Sequence, residues 1–553
     1  MQAFSSLVEE FVFATLDLSP VSATGAGYHR HAGRNLDELL DDYSPAGIAR
    51  QRSVYQEFRA RLVKIPTDGL AAQDRADLEI IGNQIALVLL ELDVIQSWKH
   101  NPTLYVELVG NALFNPLTLE YAPKPERIRH IIARLKLVPG LLDQAKANLE
   151  SSPEIWTRVA IDENKGNLSL VDEEIRRQVP PELESDYKAA ATIALDSLRA
   201  FETYLTTDLA RKNNYDWRMG EANYNKKFPL VFTPDRTPGE VLRDAENDIR
   251  AVHSRMAELA KPLVPGQASS GDPKALVRKA LDKIAQRHAT PQTYMADARR
   301  DLDEARQFAR QKDILALPAR DNLQVIDTPE FMRGIYAVGG FNPAPALEPK
   351  LGAFYWLTPI PKDWPPQRVE SKLREYNFYK LKLLTIHEAM PGHYVQFEYA
   401  NDVQPKPRRV LRSIFGNGPY IEGWAQYITE VILDEGYLGG SPELRLTFLK
   451  EELRVLANAI LDIRLHSKGM TDEEALKLMM EETFQEREEA TAKLQRAKLS
   501  SCQLPTYLVG WREWRQVRQR YQKAKGSQFR LSEFHRKALE QGAVPMNVLE
   551  FLM

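Results

Sequence analysis

Nine of the 34 prolines of this chain lie between Pro318 and Gln367, and most of the remaining sequence reads as helix. Proline fixes φ and removes a backbone donor, so that window excludes long helices. Outside it, Ile80–Trp98, Pro125–Leu149, Asp186–Leu209, Pro238–Leu259 and Ala275–Phe308 carry apolar residues at spacings of three and four. The stretch Val264–Pro273, rich in Pro, Gly and Ser, reads as a loop. Inside the proline-rich window, Ala353–Thr358 is a short aromatic run between Gly352 and Pro359, which predicts a strand. From Val369 a helix runs toward residue 387. Glu422–Leu433 and Pro442–His466 follow as helices, and Asp472–Leu499 as a long charged one. The expected fold is mainly α, with one small β element.

Composition narrows the class. At 553 residues a large core is available, with 43% apolar and 27% charged residues as in ordinary globular proteins. A net charge of −3 gives no reason to expect nucleic acid or an anionic membrane as partner. No apolar run approaches the roughly 18 residues of a membrane span. Met1–Asp17 carries Glu9 and Glu10 and no basic region, so it does not read as a signal peptide. Cys502 is the single cysteine, which rules out an intramolecular disulfide framework. A cytoplasmic setting is expected, and an exported mature chain stays open.

The chemistry concentrates in His387-Glu388-Ala389-Met390-Pro391-Gly392-His393, which holds two of the ten histidines. His-Glu followed shortly by His is the zinc-hydrolase pattern, with two imidazoles on the metal and a glutamate that takes a proton from the attacking water. The histidines stand six apart rather than four. On a regular helix six residues turn about 240°, so the two imidazoles could not meet. Pro391 breaks the helix, and Gly392 is expected to take backbone angles closed to other residues. The break would swing His393 back toward His387. Two unrelated histidines at a helix end are the alternative.

A third ligand is expected from Glu422, 29 residues after His393 and behind the turn Gly416–Pro419. Gly423 beside it permits close backbone approach. A glutamate in a first helical turn also has an ordinary explanation in the dipole. Glu430, two turns on, is a weaker candidate. With three protein ligands one position stays open, and Glu388 is the natural general base. The anion formed from an attacked carbonyl needs a further electrophile, for which Tyr507, His466 and Arg496 are candidates. Cys502 reads as a small buried residue.

The pairing of His387-Glu388-x-x-Pro391-Gly392-His393 with Glu422-Gly423-Trp424-Ala425-x-Tyr427 resembles the bacterial domain-of-unknown-function family 885. The resemblance spans nearly the whole chain. It implies a zinc metallopeptidase related in fold to neurolysin, thimet oligopeptidase and carboxypeptidase Taq. It implies metal ligands at His387, His393 and Glu422, and a base at Glu388. An Asp-x-Gly-Leu-His element falls on Asp462–His466, with Arg464 in place of glycine. A late pattern falls on Arg496, Gln503, Tyr507 and Gly510. There Ala497 replaces tyrosine, Ser501-Cys502 replaces Pro-Gly, and Thr506 replaces serine. Tyr394 stands where a second histidine is common. The implied architecture is a two-lobed, neurolysin-like peptidase unit with a helical lobe at 1–317 and a catalytic lobe at 318–553. Its helices would surround a channel with the zinc at its floor, and Phe354–Thr358 would offer substrate a strand edge.

The expected function is therefore zinc-dependent cleavage of short peptides, with one Zn2+ per chain and no nucleic-acid or membrane partner. The alternatives are a metal-dependent hydrolase of another amide or acyl substrate, and a non-catalytic helical scaffold with a degenerate site. Substrate length, exo- or endo-cleavage and oligomeric state are not legible in the sequence.

Overall fold

The computed structural model of the chain describes residues 2–232, 236–265, 272–334 and 336–553. Among these residues the structure is mainly helical, with a small sheet in the proline-rich window. No helix is long and apolar enough to cross a membrane. The chain forms two compact units. The first comprises 1–217, 322–358 and 400–415; the second comprises 218–321, 359–399 and 416–553. A single division at residue 318 does not describe them, because the chain returns to the first unit twice after leaving it.

The first unit is organised by four helices, α1 (Thr103–Thr118), α2 (Lys124–Asn148), α3 (Glu154–Ser169) and α4 (Glu184–Thr207). In α2, Ile128, Ile131, Leu135, Val138, Leu142 and Ala145 follow the helical period and are fully or nearly fully buried. Burying each large aliphatic side chain contributes about 1.5–3 kcal/mol. Arg134 interrupts this apolar face yet is fully buried. Its guanidinium donates to the carbonyls of Leu39, Ala112 and Leu36 and to Thr24, so the charge is solvated by backbone oxygens.

The sheet also belongs to this unit. It contains β1 (Leu323–Asp327), β2 (Gly339–Asn342) and β3 (Ala353–Leu357). The aromatic run is a strand, as its composition predicts, but β1 and β2 have no such signal and were not foreseen. β3 is the central strand, parallel to β1 with Val325 opposite Tyr355, and antiparallel to β2 with Phe341 opposite Tyr355. All five of its residues are buried. A strand paired on both sides has no edge to offer, so the substrate-capturing role expected of Phe354–Thr358 does not fit. The outer strands are β1 and β2.

The second unit is built on α5 (Pro238–Ala260), α6 (Phe378–Glu388), α7 (His393–Ala400), α8 (Gly418–Asp434), α9 (Pro442–Ser467), α10 (Arg487–Leu499) and α11 (Pro505–Lys525). Four predicted helices are interrupted. Ala275–Phe308 is two helices, Pro273–Ala285 and Tyr294–Gln311, parted around Pro291. The hydroxyls of Thr290 and Thr293 accept from each other's backbone N–H at 3.2 and 3.0 Å in that gap. The helix expected from Val369 ends at Glu375, and Asn377 caps a new one by accepting from the N–H groups of Tyr379 and Lys380. Ile80–Trp98 breaks at Gln96, which takes a left-handed φ of 55°. Asp472–Leu499 breaks at Phe484, φ 56°, with no glycine or proline to announce it. Of the predicted loop Val264–Pro273, residues 266–271 lie outside the described residues, and Pro273 opens a helix.

Candidate metal centre

His387 and Glu388 end α6, whose Leu381, Leu383, Leu384 and Ile386 anchor it in the core. Ala389 leaves helical geometry at φ −126°, ψ −75°, and His393 opens α7. The helix therefore breaks where the spacing requires. The reason for glycine differs from the expected one. Gly392 is not among the residues with positive φ. A Cβ there would stand 1.9 Å from the carbonyl oxygen of His387 and 2.3 Å from that of Ile386. Glycine is needed for room, because the backbone lies directly on the end of α6. Trp424 holds this turn, its indole N–H shared between the carbonyls of Pro391 and Gly392 at 3.1 and 3.2 Å.

The break brings the two imidazoles together, ring centroids 4.8 Å apart and planes at 85°. Glu422 joins them from the second turn of α8, which Asn417 caps by accepting from the Tyr420 N–H. One Glu422 oxygen lies 3.6 Å from His387 Nε2 and 3.4 Å from His393 Nε2. Ligand atoms at about 2.0–2.1 Å from a tetrahedral zinc are separated by about 3.3 Å. The two nitrogen-to-oxygen distances are close to that separation. Atoms of His387, Glu388 and His393 also lie within 4.8 Å of one another, which puts Glu388 beside the group. His393 is buried, whereas His387 and Glu422 keep 14% and 18% of their side-chain surface, so the cluster has an open side.

The electrostatics are those of a mutually satisfied group. Burial pushes the Glu422 carboxyl up, but hydrogen bonds and charge from His387 and His393 outweigh it and hold it well below the usual range. Burial pushes His393 down, while its hydrogen bond to Glu422 and the charges of Glu422 and Glu388 raise it overall.

Of the three electrophile candidates the structure brings two to the cluster. Tyr507 stacks on His387, centroids 6.2 Å apart at 22°. Arg496 donates to Tyr507 Oη and Gln503 Oε1, both at 3.4 Å, and Gln503 donates to Tyr507 at 3.5 Å. Burial, followed by the charge of Glu422, pushes the Tyr507 phenol up to about 12, so it stays a donor. His466 is placed otherwise. It is buried, its Nε2 bonds the Ala497 carbonyl at 2.8 Å and its ring stacks on Tyr224. Those contacts tie α9 to α10 and make it a positioning residue. Glu430 is bound to Trp511 and Arg515, which removes it from the ligand candidates.

Three residues that carry the site stand in the sequence reading only as members of the family pattern, with no role of their own. Trp424 is one. Gly510 is another: a Cβ on it would meet the Pro419 carbonyl at 1.9 Å, and one on Gly423 would meet Gly510 at 2.3 Å. The two glycines let α8 and α11 touch backbone to backbone, which sets Glu422 against Tyr507. Asp462 is the third. Fully buried, it accepts from Tyr224 Oη at 2.7 Å and from the N–H groups of Cys502 and Leu504 at 2.9 and 3.2 Å. It thereby fixes the loop that launches α11. Cys502, where the family pattern has glycine, stands in that loop at φ 60° and is buried.

No curated protein matches the chain. Two solved structures share its fold over its whole length. One, a "putative lipoprotein of unknown function" from Shewanella oneidensis, is 29% identical with a TM-score of 0.80 and 99% of its own chain covered. The other, a "putative lipoprotein" from Colwellia psychrerythraea, is 19% identical with a TM-score of 0.79 and 98% covered. The model of the family described as "Bacterial protein of unknown function (DUF885)" matches residues 20–553, and the chain belongs to that family.

Proposed function

We propose that the chain is a zinc-dependent peptidase acting on short peptides, with His387, His393 and Glu422 as ligands. The observation that carries this reading is the convergence of two imidazole nitrogens on one Glu422 oxygen at 3.4 and 3.6 Å. Nitrogen and carboxylate donors in this number suit zinc. When bound, the ion would polarise a substrate carbonyl and acidify water. Glu388, next to His387 in sequence and within the same cluster, takes the proton from the attacking water and returns it to the leaving amine. Tyr507 donates a hydrogen bond to the developing oxyanion, and Arg496 holds the phenol in place. The partly exposed side of the cluster is where a peptide would enter.

The decisive experiment is digestion of a peptide library with cleavage sites mapped by mass spectrometry, alongside metal analysis of the purified chain. The expected result is about one zinc per chain, as for a three-ligand catalytic site, and cleavage abolished by chelation. Turnover of acyl amides without cleavage of any peptide would replace the peptidase reading with the broader hydrolase one. A chain that holds no transition metal would end both. The lipoprotein descriptions of the two neighbours support an exported, membrane-associated place over the cytoplasmic one expected from composition. Fractionation of the producing cell tests that.

A further inference from the structure

A second pair of acids lies in the first unit: Glu107, to which Thr103 hydrogen-bonds, and Glu163. Glu163 on α3 is 1% exposed, and among the described residues neither of its carboxylate oxygens accepts a hydrogen bond. A buried polar group is ordinarily bonded, and a buried charge is ordinarily paired or on a metal. Asn167 lies one turn further along the same face of α3 and is fully buried. Its amide nitrogen donates to the Val106 carbonyl at 2.9 Å. That carbonyl can only accept, so the amide cannot be turned round, and its Oδ1, also without a donor, points elsewhere. Val106 precedes Glu107 on α1, and α1 packs on α3. Of all charges, that of Glu107 acts most strongly on Glu163.

The group is covered. A Cβ on Gly166 would meet the Phe331 backbone nitrogen at 2.4 Å, and one on Gly334 would stand 2.9 Å from Glu163 Oε1. The backbone around residues 330–334 thus lies straight across α3 at this point. Three side chains offer oxygen acceptors around this point, Glu163 and Asn167 buried and Glu107 half-buried.

We propose that Glu107, Glu163 and Asn167 hold a hard divalent cation, with calcium the preferred ion. Two carboxylates carry a charge of −2 that one divalent ion cancels and a monovalent ion does not. Carboxylate and amide oxygens select hard cations, and no nitrogen or sulfur donor belongs to the set. Magnesium keeps its water reluctantly exchanged, so a closed site favours calcium. The ion would tie α1 to α3 and so stabilise the first unit. It is independent of the zinc reading.

The test uses the full chain, stripped with EGTA and dialysed against calcium, with bound calcium measured by atomic emission and stability by thermal unfolding. One calcium per chain is expected, retained when phenanthroline removes transition metals, together with a higher Tm. Glu163→Gln should weaken calcium binding roughly 10-fold or more while leaving zinc content unchanged. Asn167→Asp adds a carboxylate and should tighten it; this variant and Glu107→Gln serve if Glu163→Gln does not fold. No calcium bound at millimolar concentration, or equal binding by wild type and Glu163→Gln, overturns the proposal. So does a wild-type Tm that follows pH but not calcium, which would mean that protons neutralise the pair.

Discussion

Glu422 and Glu163 are glutamates on long helices, the first half-buried and the second fully buried, and they have opposite surroundings. Glu422 faces two imidazole nitrogens, at 3.4 and 3.6 Å. Glu163 faces another carboxylate and an amide oxygen, with no donor. The first group neutralises itself, so its residues can assemble without an ion and then exchange their contacts for one. The second group needs a charge from outside the chain. A metal in the first would therefore serve chemistry, whereas one in the second would serve the fold. Chelation should accordingly abolish activity with little change in Tm, and calcium should change Tm with little change in activity.

The largest effect that sharpens this contrast is expected for Glu388→Gln. An amide cannot accept the proton, so kcat should fall by about 10²–10⁴. Zinc content and calcium binding should both be unchanged. Full activity in this variant would remove Glu388 as base. Tyr507→Phe should lower kcat by about 10²–10³, the usual cost of one oxyanion donor. Because the phenol is raised from 10 to about 12, it remains protonated through the range in which an ordinary tyrosine ionises. An alkaline loss of activity near pH 10 should therefore come from another group and persist in the phenylalanine variant. A limb near pH 10 that disappears with Tyr507 would contradict this.

Gly392→Ala tests the geometry itself. Its Cβ meets two carbonyl oxygens at van der Waals overlap. The cost should be at least about 1–3 kcal/mol, read by denaturant unfolding, with loss of zinc and retention of calcium. Trp424→Phe keeps the ring and loses the bonds to Pro391 and Gly392. Zinc affinity should drop by about 10-fold, as when a supporting residue behind a ligand is removed. The smallest effect is expected for His466→Gln. It should cost about 1 kcal/mol of stability through the Ala497 hydrogen bond and leave kcat within about 2-fold. A large loss of kcat without loss of stability would restore His466 to the reacting groups.

Much of the site was legible from local chemistry. Histidines six apart, with Pro and Gly between them, cannot be a regular zinc helix, and the structure breaks at that point. Glu422 was legible from the Asn417-Gly418-Pro419 turn that starts its helix. Tyr507 and Arg496 were legible only as part of a pattern, because nothing in their own neighbourhood says that they meet. The rest was hidden because its cause is distant. Gly423 and Gly510 lie 87 residues apart, and each is explained only by the other. The breaks at Gln96 and Phe484 follow from tertiary packing, since neither residue type favours positive φ. Nothing in the sequence around Glu163 singles it out.

The sequence by itself determined the helical class, the place of the strand region and the departure from helix between His387 and His393. These depend on periodicity and on proline, which act over a few residues. Only the tertiary structure decided that Gly392 is required for space rather than for φ. It also decided that β3 is an inner strand, that His466 is bound to backbone, and that the buried Glu163 carboxylate has no donor. Each of these depends on which backbone or side chain arrives from far along the chain, and local pattern carries no record of that.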